Sequence, residues 1–231
     1  MRLILALSIL LNLALLAGGY YALQSLGGPR YVLYKMKNRG TTGVYGHRKM
    51  QLKMLATQSH DIVMLGNSIT EQGEWAELLD NPNVKNRGIA GDGTNGLLDR
   101  LSDITEGQPK QIFLMIGIND LLFHDAEFTL ANYETIVERI QKETPQTELI
   151  LQNVLPTNDN VRKIGINKAE IKKLNHGIQQ IAEREGLTYL NLYDTFRDIN
   201  NNLHKKFTDD GIHLNGEAYL IWRDELREYI N

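Results

Sequence analysis

The chain has 231 residues, of which 42% are hydrophobic and 23% are charged, proportions typical of a soluble globular domain. It contains no cysteine, which excludes disulfides, iron–sulfur clusters, cysteine-ligated zinc, a thiol nucleophile and a lipid anchor attached to cysteine. Residues 1–60 carry eight basic and no acidic residues, whereas residues 61–231 carry 17 basic and 28 acidic residues, and this net charge of −11 argues against nucleic acid as a partner.

The first predicted element is an apolar segment. Residues 3–17 are almost wholly apolar and follow the single charge of Arg2, and extension to Leu23 makes the segment long enough to span a bilayer. It also has the parts of a signal peptide, with three small residues from Ala17 suited to cleavage. Residues 1–23 are therefore predicted to be a signal peptide or an N-terminal membrane anchor. The second reading implies membrane association through this segment.

Residues 24–60 are predicted to form a basic linker, which glycines and Pro29 interrupt and in which residues 47–58 favour a short helix. Basic side chains beside an apolar segment suit an anionic membrane surface, and a solvated linker explains them equally well. The positive-inside rule would keep in the cytoplasm the four that follow the segment, Arg30, Lys35, Lys37 and Arg39. The very short N-terminus favours export, and it decides the prediction of an extracytoplasmic domain, in the periplasm or cell envelope.

From Asp61 onward, short apolar runs alternate with helix-like stretches. The runs, which are candidates for buried strands, are Ile62–Leu65, Gln111–Ile116, Glu148–Val154 and Thr188–Leu192, with Asn83–Asn86 as a weaker candidate. The helix-like stretches are Trp75–Leu79, Asn95–Ser102, Leu130–Glu143, Lys168–Glu185 and Glu217–Tyr229. This alternation predicts an α/β domain over residues 61–231, with helices on both faces of a parallel sheet in three layers. Active sites of such sheets lie outside the carboxyl ends of the strands.

Ser68 follows the first run, in Gly66-Asn67-Ser68. Gly66 permits a tight turn from strand to helix, which would present the Ser68 hydroxyl at the sheet edge. The only other serine of the domain, Ser102, falls within a helix-like stretch. Ser68 is therefore a candidate nucleophile, and the alternative is that it caps the following helix.

Two further motifs follow strand candidates. The glycines of residues 86–94 leave backbone N–H groups free to face a ligand. Asn119 comes shortly after the run Gln111–Ile116, where its amide can donate hydrogen bonds into a site or cap a helix in a turn. Residues 91–96 also match Gly-x-Gly-x-x-Gly, with Asp120 24 residues further on, as in dinucleotide sites. The strand candidate before them lacks the apolar run that such a site requires.

Asp210 and His213 stand just before the last helix-like stretch. A histidine three residues after an aspartate, across Gly211, can be held by that carboxylate, which fixes the tautomer and stabilises the imidazolium. A surface turn with a solvated histidine is the alternative. Because no two histidines show the spacing of zinc ligands, no metal site is predicted.

The four motifs occur in order, each at a predicted strand end, and the set resembles the SGNH (GDSL-type) hydrolase family over residues 61–231. The resemblance implies a flavodoxin-like five-stranded parallel sheet, the SGNH hydrolase fold. It implies a catalytic triad of Ser68, Asp210 and His213. It also implies an oxyanion hole made by the backbone N–H groups of Ser68 and Gly91 and the side chain of Asn119.

Gly-Ile-Ala-Gly-Asp at residues 88–92 and the nearby Trp75 are similar to the platelet-activating-factor acetylhydrolase catalytic subunits and to bacterial carbohydrate acetylesterases. The family's Gly-Asp-Ser reads Gly66-Asn67-Ser68 here, which removes a charge beside the nucleophile. Short motif spacings leave little room for a lid, so the site is expected to be open and shallow. The loop Leu155–Asn167 either contacts a sugar or is an ordinary solvated loop.

The resemblance implies a serine esterase that hydrolyses small-acyl esters, acetyl esters first, through an acyl-enzyme. The alcohol is expected to be a carbohydrate or a lipid, and no metal or organic cofactor is required. Two alternatives stay open. One is an O-acetyltransferase with the same acyl-enzyme, and the other is a non-catalytic, membrane-tethered scaffold that binds a nucleotide.

Overall fold

The structure, a computed structural model, describes residues 2–25 and 43–230 in two units, the second of which begins at His47. The first contains helix α1, Arg2–Ser25. Within the described parts of the chain, no helix combines the length and the hydropathy that a membrane crossing requires. The basic residues between positions 30 and 39 lie outside the described residues, so the linker, the signal peptide or anchor and the extracytoplasmic location stay predictions.

Helix α2, Val44–Met54, runs into the second unit. Its Leu52 is buried, and the Arg48 guanidinium lies 3.5 Å from a carboxylate oxygen of Glu71. The sequence analysis placed residues 47–60 in the linker. The structure assigns them to the compact unit, because an apolar and a charged side chain of this helix both find partners there.

Five strands form one parallel sheet in the order β2-β1-β3-β4-β5. They are β1 Ile62–Gly66, β2 Val84–Gly88, β3 Gln111–Met115, β4 Glu148–Gln152 and β5 Thr188–Leu190. Every residue of β1 and β3 is buried, as expected of central strands covered on both faces. With helices on both sides, the unit has the three-layer α/β/α fold that the sequence predicted.

Two strands end earlier than their apolar runs. The run predicted to end at Val154 leaves the sheet after Gln152, because the Val154 N–H and carbonyl bond to the buried Asn175 side chain, at 2.8 and 2.9 Å. The run predicted to reach Leu192 ends at Leu190, and Asn191 instead caps the next helix through the Asp194 N–H. Hydropathy alone does not mark these ends, since the apolar residues Val154 and Leu192 beyond them are buried too.

The helices of the second unit, after α2, are short near the sheet's first strands and longer toward its last. They are α3 Ser68–Glu71, α4 Trp75–Leu78, α5 Thr94–Leu98, α6 Ser102–Thr105, α7 Ala126–Glu143, α8 Lys168–Glu185, α9 Leu192–Phe196 and α10 Gly216–Leu226. Single 3₁₀ turns occupy Asp120–Leu122, Lys205–Phe207 and Arg227–Tyr229. Helix α7 begins four residues before its predicted start, because Asp125 accepts a hydrogen bond from the Phe128 N–H and caps it.

A buried aromatic cluster joins the segment after β1 to the last helix. Trp75 and Trp222 pack edge to face with ring centroids 4.7 Å apart, and Tyr219 contacts both rings. The Trp75 indole N–H donates to the Thr70 carbonyl at 2.7 Å, and the Tyr219 hydroxyl donates to the Ile69 carbonyl at 2.6 Å. Helix α3 and helix α10 are thereby held together although they lie about 150 residues apart in sequence.

Candidate active site

Ser68 is the first residue of helix α3, directly beyond the carboxyl end of β1. The residue that caps this helix is Asn67, whose buried side-chain oxygen accepts the Ile69 N–H at 3.0 Å. The alternative that Ser68 is itself the cap is therefore wrong. Because Asn67 accepts the free N–H at the start of the helix, the Ser68 hydroxyl is available for a partner from elsewhere in the chain.

That partner is His213. Its Nε2 lies 3.0 Å from the Ser68 Oγ, and its Nδ1 lies 2.7 Å from Oδ2 of Asp210. The hydroxyl, the imidazole and the carboxylate form one hydrogen-bonded chain, in the geometry of a nucleophile, its general base and the group that orients the base. His213 is thus not a solvated surface histidine.

Asp210 accepts backbone hydrogen bonds from the turn that carries His213. Its Oδ1 accepts the N–H groups of Ile212, at 3.0 Å, and His213, at 2.8 Å. Burial by itself raises the pKa of Asp210, but hydrogen bonds from the His213 ring and from these two N–H groups lower the pKa to about 2. Gly211 takes φ of +84° in this turn, a left-handed conformation that favours glycine. The Asp210 carboxylate is consequently ionised at neutral pH, where it can stabilise the His213 imidazolium.

Three possible oxyanion donors face the same groove. The backbone N–H groups of Ser68 and Gly91 have no hydrogen-bond acceptor among the described residues, and Gly91 reaches its position with φ of +78°. Asn119 donates one amide hydrogen to the Asp92 carbonyl at 2.8 Å, which leaves its second amide hydrogen available. Unpaired donors around a nucleophile are what an oxyanion hole requires.

A buried arginine ties the strand ends of this region together. Arg100 donates to the carbonyls of Gly66 and Arg87, both at 3.0 Å, and to the Asp92 carboxylate at 2.8 Å. The Asp92 carbonyl in turn accepts the Asn119 amide. The sequence analysis missed Arg100, which lies outside the four motifs. The signal that could have found it is a basic residue placed next to Leu101 in the helix-like stretch that follows the Gly-rich motif.

The groove at this site has a volume of about 420 Å³. Its lining is formed by Ser68, Ala90, Gly91, Asn119, Leu122, Arg162, Lys163, Ile164, Ile212 and His213. Four of these ten residues lie outside the four sequence motifs: Leu122, Arg162, Lys163 and Ile164. The loop Leu155–Asn167 thus supplies one wall of the groove through Arg162, Lys163 and Ile164. It is placed where it could contact a sugar, the first of the two roles expected from the sequence.

The residues of the dinucleotide pattern have a structural role instead. The Asp120 carboxylate is buried and accepts the Thr94 N–H, at 3.0 Å, and the Thr94 hydroxyl, at 2.5 Å. These contacts engage the carboxylate at the start of helix α5. The ring of His124 stacks on Phe128, with centroids 4.0 Å apart, and does not line the groove. Among the described residues, no cluster of three or more His, Asp or Glu side chains could hold a metal ion.

Residues 64–221 match the model described as the GDSL-like lipase/acylhydrolase family. A Streptococcus pneumonia structure provisionally named a platelet activating factor superposes with a TM-score of 0.76 at 25% identity, covering 87% of this chain and 99% of that chain.

Two curated relatives are similar over part of their length. The N-acylneuraminate cytidylyltransferase of Escherichia coli O18:K1:H7 is 23% identical over 205 residues, which cover 86% of this chain and 48% of the relative. The human platelet-activating factor acetylhydrolase IB subunit alpha1 is 27% identical over 120 residues, which cover 49% of this chain and 52% of the relative. The chain thus spans about half the length of the curated relatives it matches.

Proposed function

This chain belongs to the GDSL-like lipase/acylhydrolase family, and within that family we propose that it is a serine esterase that hydrolyses small-acyl carboxylic esters through an acyl-enzyme. One observation carries the proposal. The Ser68 hydroxyl, the His213 imidazole and the Asp210 carboxylate are joined by hydrogen bonds of 3.0 and 2.7 Å at the lip of an open groove. A scaffold that only binds a ligand has no use for that chain of groups.

In the proposed first step, Ser68 attacks the ester carbonyl while His213 accepts the hydroxyl proton at Nε2. The carbonyl π electrons move to oxygen, and the Asp210 carboxylate stabilises the imidazolium through Nδ1. When the tetrahedral intermediate collapses, the bond to the alcohol breaks and His213 returns the proton to the leaving oxygen. Ser68 then carries the acyl group.

In the second step, His213 accepts a proton from the water molecule that attacks the acyl carbon. The bond between the acyl group and the Ser68 Oγ then breaks, His213 returns the proton to that oxygen, and the carboxylic acid leaves. The negative oxygen of both intermediates would accept hydrogen bonds from the N–H groups of Ser68 and Gly91 and from the Asn119 amide. One such donor is worth roughly 10²- to 10³-fold in rate. No step needs a metal or an organic cofactor.

We propose acetyl esters of a carbohydrate or lipid alcohol as substrates. An open groove without a covering lid among its lining residues suits a short acyl group and a bulky alcohol. The names of two relatives support these two choices. One is called an acetylhydrolase, which supports the acetyl group, and the other is named for the sugar N-acylneuraminate, which supports a carbohydrate alcohol. An O-acetyltransferase remains the second candidate, because a sugar hydroxyl could replace water in the open groove.

The test of the function is turnover of p-nitrophenyl acetate by the purified chain, with and without acceptor sugars. An esterase releases acetate in both conditions, whereas a transferase releases nitrophenol faster when the sugar is present and forms the acetylated sugar. Absence of turnover in both conditions would remove the esterase and the transferase together.

Replacement of Asn119 by Ala is expected to lower kcat by roughly 10²- to 10³-fold with little change in KM, because the lost donor would act on the transition state. Steady-state kinetics on p-nitrophenyl acetate measure both constants. Asn132→Ala is a suitable control, since Asn132 also bonds to the Gly-rich loop, through Thr94 and Asn95, but does not line the groove. A raised KM at constant kcat would make Asn119 a substrate-binding group.

We propose that the domain works outside the cytoplasm, in the periplasm or cell envelope, because an apolar segment with a short basic start precedes it. Held by that segment or released from it, the domain is expected to be degraded when protease is added to intact spheroplasts. Resistance that persists until the membrane is broken would contradict this location and leave the esterase proposal unaffected.

A further inference from the structure

The groove beside Ser68 has a basic wall that no step of the proposed reaction uses. Arg162 and Lys163 both line it, and both side chains are exposed. No aspartate or glutamate is among the described residues that line the groove. At neutral pH, these two side chains are therefore the only lining groups that carry a fixed charge.

The two basic groups differ in the partners that they have within the domain. The Arg162 guanidinium lies 3.4 Å from Oδ2 of Asp210, an oxygen that already accepts the shorter hydrogen bond from the catalytic histidine. Lys163 has no hydrogen bond or ion pair with another residue in the described parts of the chain. The acidic group of the same loop, Asp159, uses one oxygen for two backbone N–H groups of that loop. The Lys163 ammonium and the remaining N–H groups of Arg162 can thus donate hydrogen bonds to an external anion.

The loop that carries them is fixed to the catalytic turn. Asn158 is buried, its N–H donates to the Gly211 carbonyl at 2.8 Å, and its side-chain amide donates to the Leu203 carbonyl at 2.7 Å. Gly211 stands between the proposed catalytic aspartate and histidine. The backbone that carries the two cations is therefore anchored beside the reacting groups.

The charge of the rest of the domain makes this wall unusual. Residues 61–231 have a net charge of −11, which repels anionic ligands. Arg162, which also pairs with Asp210, and Lys163 place positive charge at the groove, where an ester must bind. Charged clefts of this kind raise the local concentration of ligands of opposite charge.

We infer that the groove selects esters whose alcohol portion carries an anionic group, a carboxylate or a phosphate, which Arg162 and Lys163 bind. This inference rests on the proposed esterase function. The anion belongs on the alcohol, because an acetyl group is too small to carry one. Arg162 offers a planar fork for two oxygens, and Lys163 adds a flexible point charge, so either anion satisfies the same pair.

The experiment compares three acetyl esters with the purified full-length chain. Two are anionic, 4-acetoxybenzoate and 4-acetoxyphenyl phosphate, and one is neutral, methyl 4-acetoxybenzoate. In the double variant Arg162→Gln/Lys163→Gln, the ratio of kcat/KM for an anionic ester to that for the neutral ester is expected to fall by roughly 5- to 30-fold. Sodium chloride should lower the same ratio in the wild type, since screening weakens the attraction. The anionic ester whose ratio falls more in the double variant shows whether the groove selects a carboxylate or a phosphate.

Lys142→Gln is the matched control, since it removes one positive charge from an exposed helical position outside the groove and should leave the ratio unchanged. Turnover of the neutral ester reports that each variant is folded. If the neutral ester is hydrolysed and the ratio does not change in the double variant, selection of anions is wrong and the esterase proposal stands. If the wild type hydrolyses none of the three esters, the esterase proposal fails and the inference fails with it.

Discussion

Replacement of Ser68 by Ala is expected to lower kcat for p-nitrophenyl acetate by between about 10⁴- and 10⁶-fold. The loss is large because no acyl-enzyme can form without the Ser68 hydroxyl. That hydroxyl is also the group from which His213 takes a proton in the first step. Folding should be retained, since helix α3 is capped by Asn67 and not by Ser68. Thermal unfolding of the variant measures that directly.

Ser102→Ala provides the control for this substitution. Ser102 is the only other serine of residues 61–231, and it lies exposed at the start of helix α6. A fluorophosphonate probe should label the wild type and Ser102→Ala equally and should not label Ser68→Ala. Labelling or turnover that survives in Ser68→Ala would end the assignment of Ser68 as the nucleophile.

Replacement of Asp210 by Asn is expected to lower kcat by roughly 10³- to 10⁴-fold. The amide can still accept the Ile212 and His213 N–H groups through its oxygen, so the turn is expected to keep its shape. Its NH₂ group would then face Nδ1 of His213 and place the imidazole proton on Nε2. That nitrogen, 3.0 Å from the Ser68 Oγ, could no longer accept the hydroxyl proton.

The pH dependence of stability gives this variant a second readout. Because hydrogen bonds hold the pKa of Asp210 near 2, below the ordinary value of 3.8, its ionised form stabilises the fold above pH 3.8, and this contribution is lost as the pH falls toward 2. The difference in unfolding free energy between wild type and Asp210→Asn should therefore narrow over that interval. Denaturant titration at several pH values measures it.

Asp209→Asn is the matched control for both readouts, because Asp209 is the exposed neighbouring aspartate and does not line the groove. It should retain nearly full activity and a wild-type response to acid. An Asp210→Asn enzyme with unchanged kcat would show that His213 is oriented by other groups, despite the 2.7 Å contact between Nδ1 and the carboxylate.

Hydropathy patterns along the chain predict the order of its strands and helices and the positions at which polar groups follow strands. Short runs such as Ile62–Leu65 are too short for buried helices and wholly apolar, which is the pattern of strands covered on both faces. Helix Lys168–Glu185 was predicted with its observed bounds, because a capping Asn precedes it and a Gly follows it. Local chemistry and periodicity are sufficient for such elements.

The short elements were predicted less well. Asn95–Ser102 is one helix in the sequence pattern and two separate turns of helix in the structure, Thr94–Leu98 and Ser102–Thr105. The break comes where Arg100 turns inward to the carbonyls of Gly66 and Arg87. Two of the three partners of Arg100, the carbonyls of Gly66 and Arg87, lie in strands, so the sequence around Arg100 does not show where its guanidinium bonds.

Which side chains contact one another depends on how the whole domain packs. Ser68 and His213 are 145 residues apart, and they lie within hydrogen-bond distance because the carboxyl ends of parallel strands share one edge of the sheet and an aromatic cluster holds the last helix against helix α3. The basic wall of Arg162 and Lys163 likewise follows from a loop fixed by Asn158 to the turn at Gly211. Local sequence records which residues can donate, accept or carry charge, whereas the distances between them follow from packing over the whole domain.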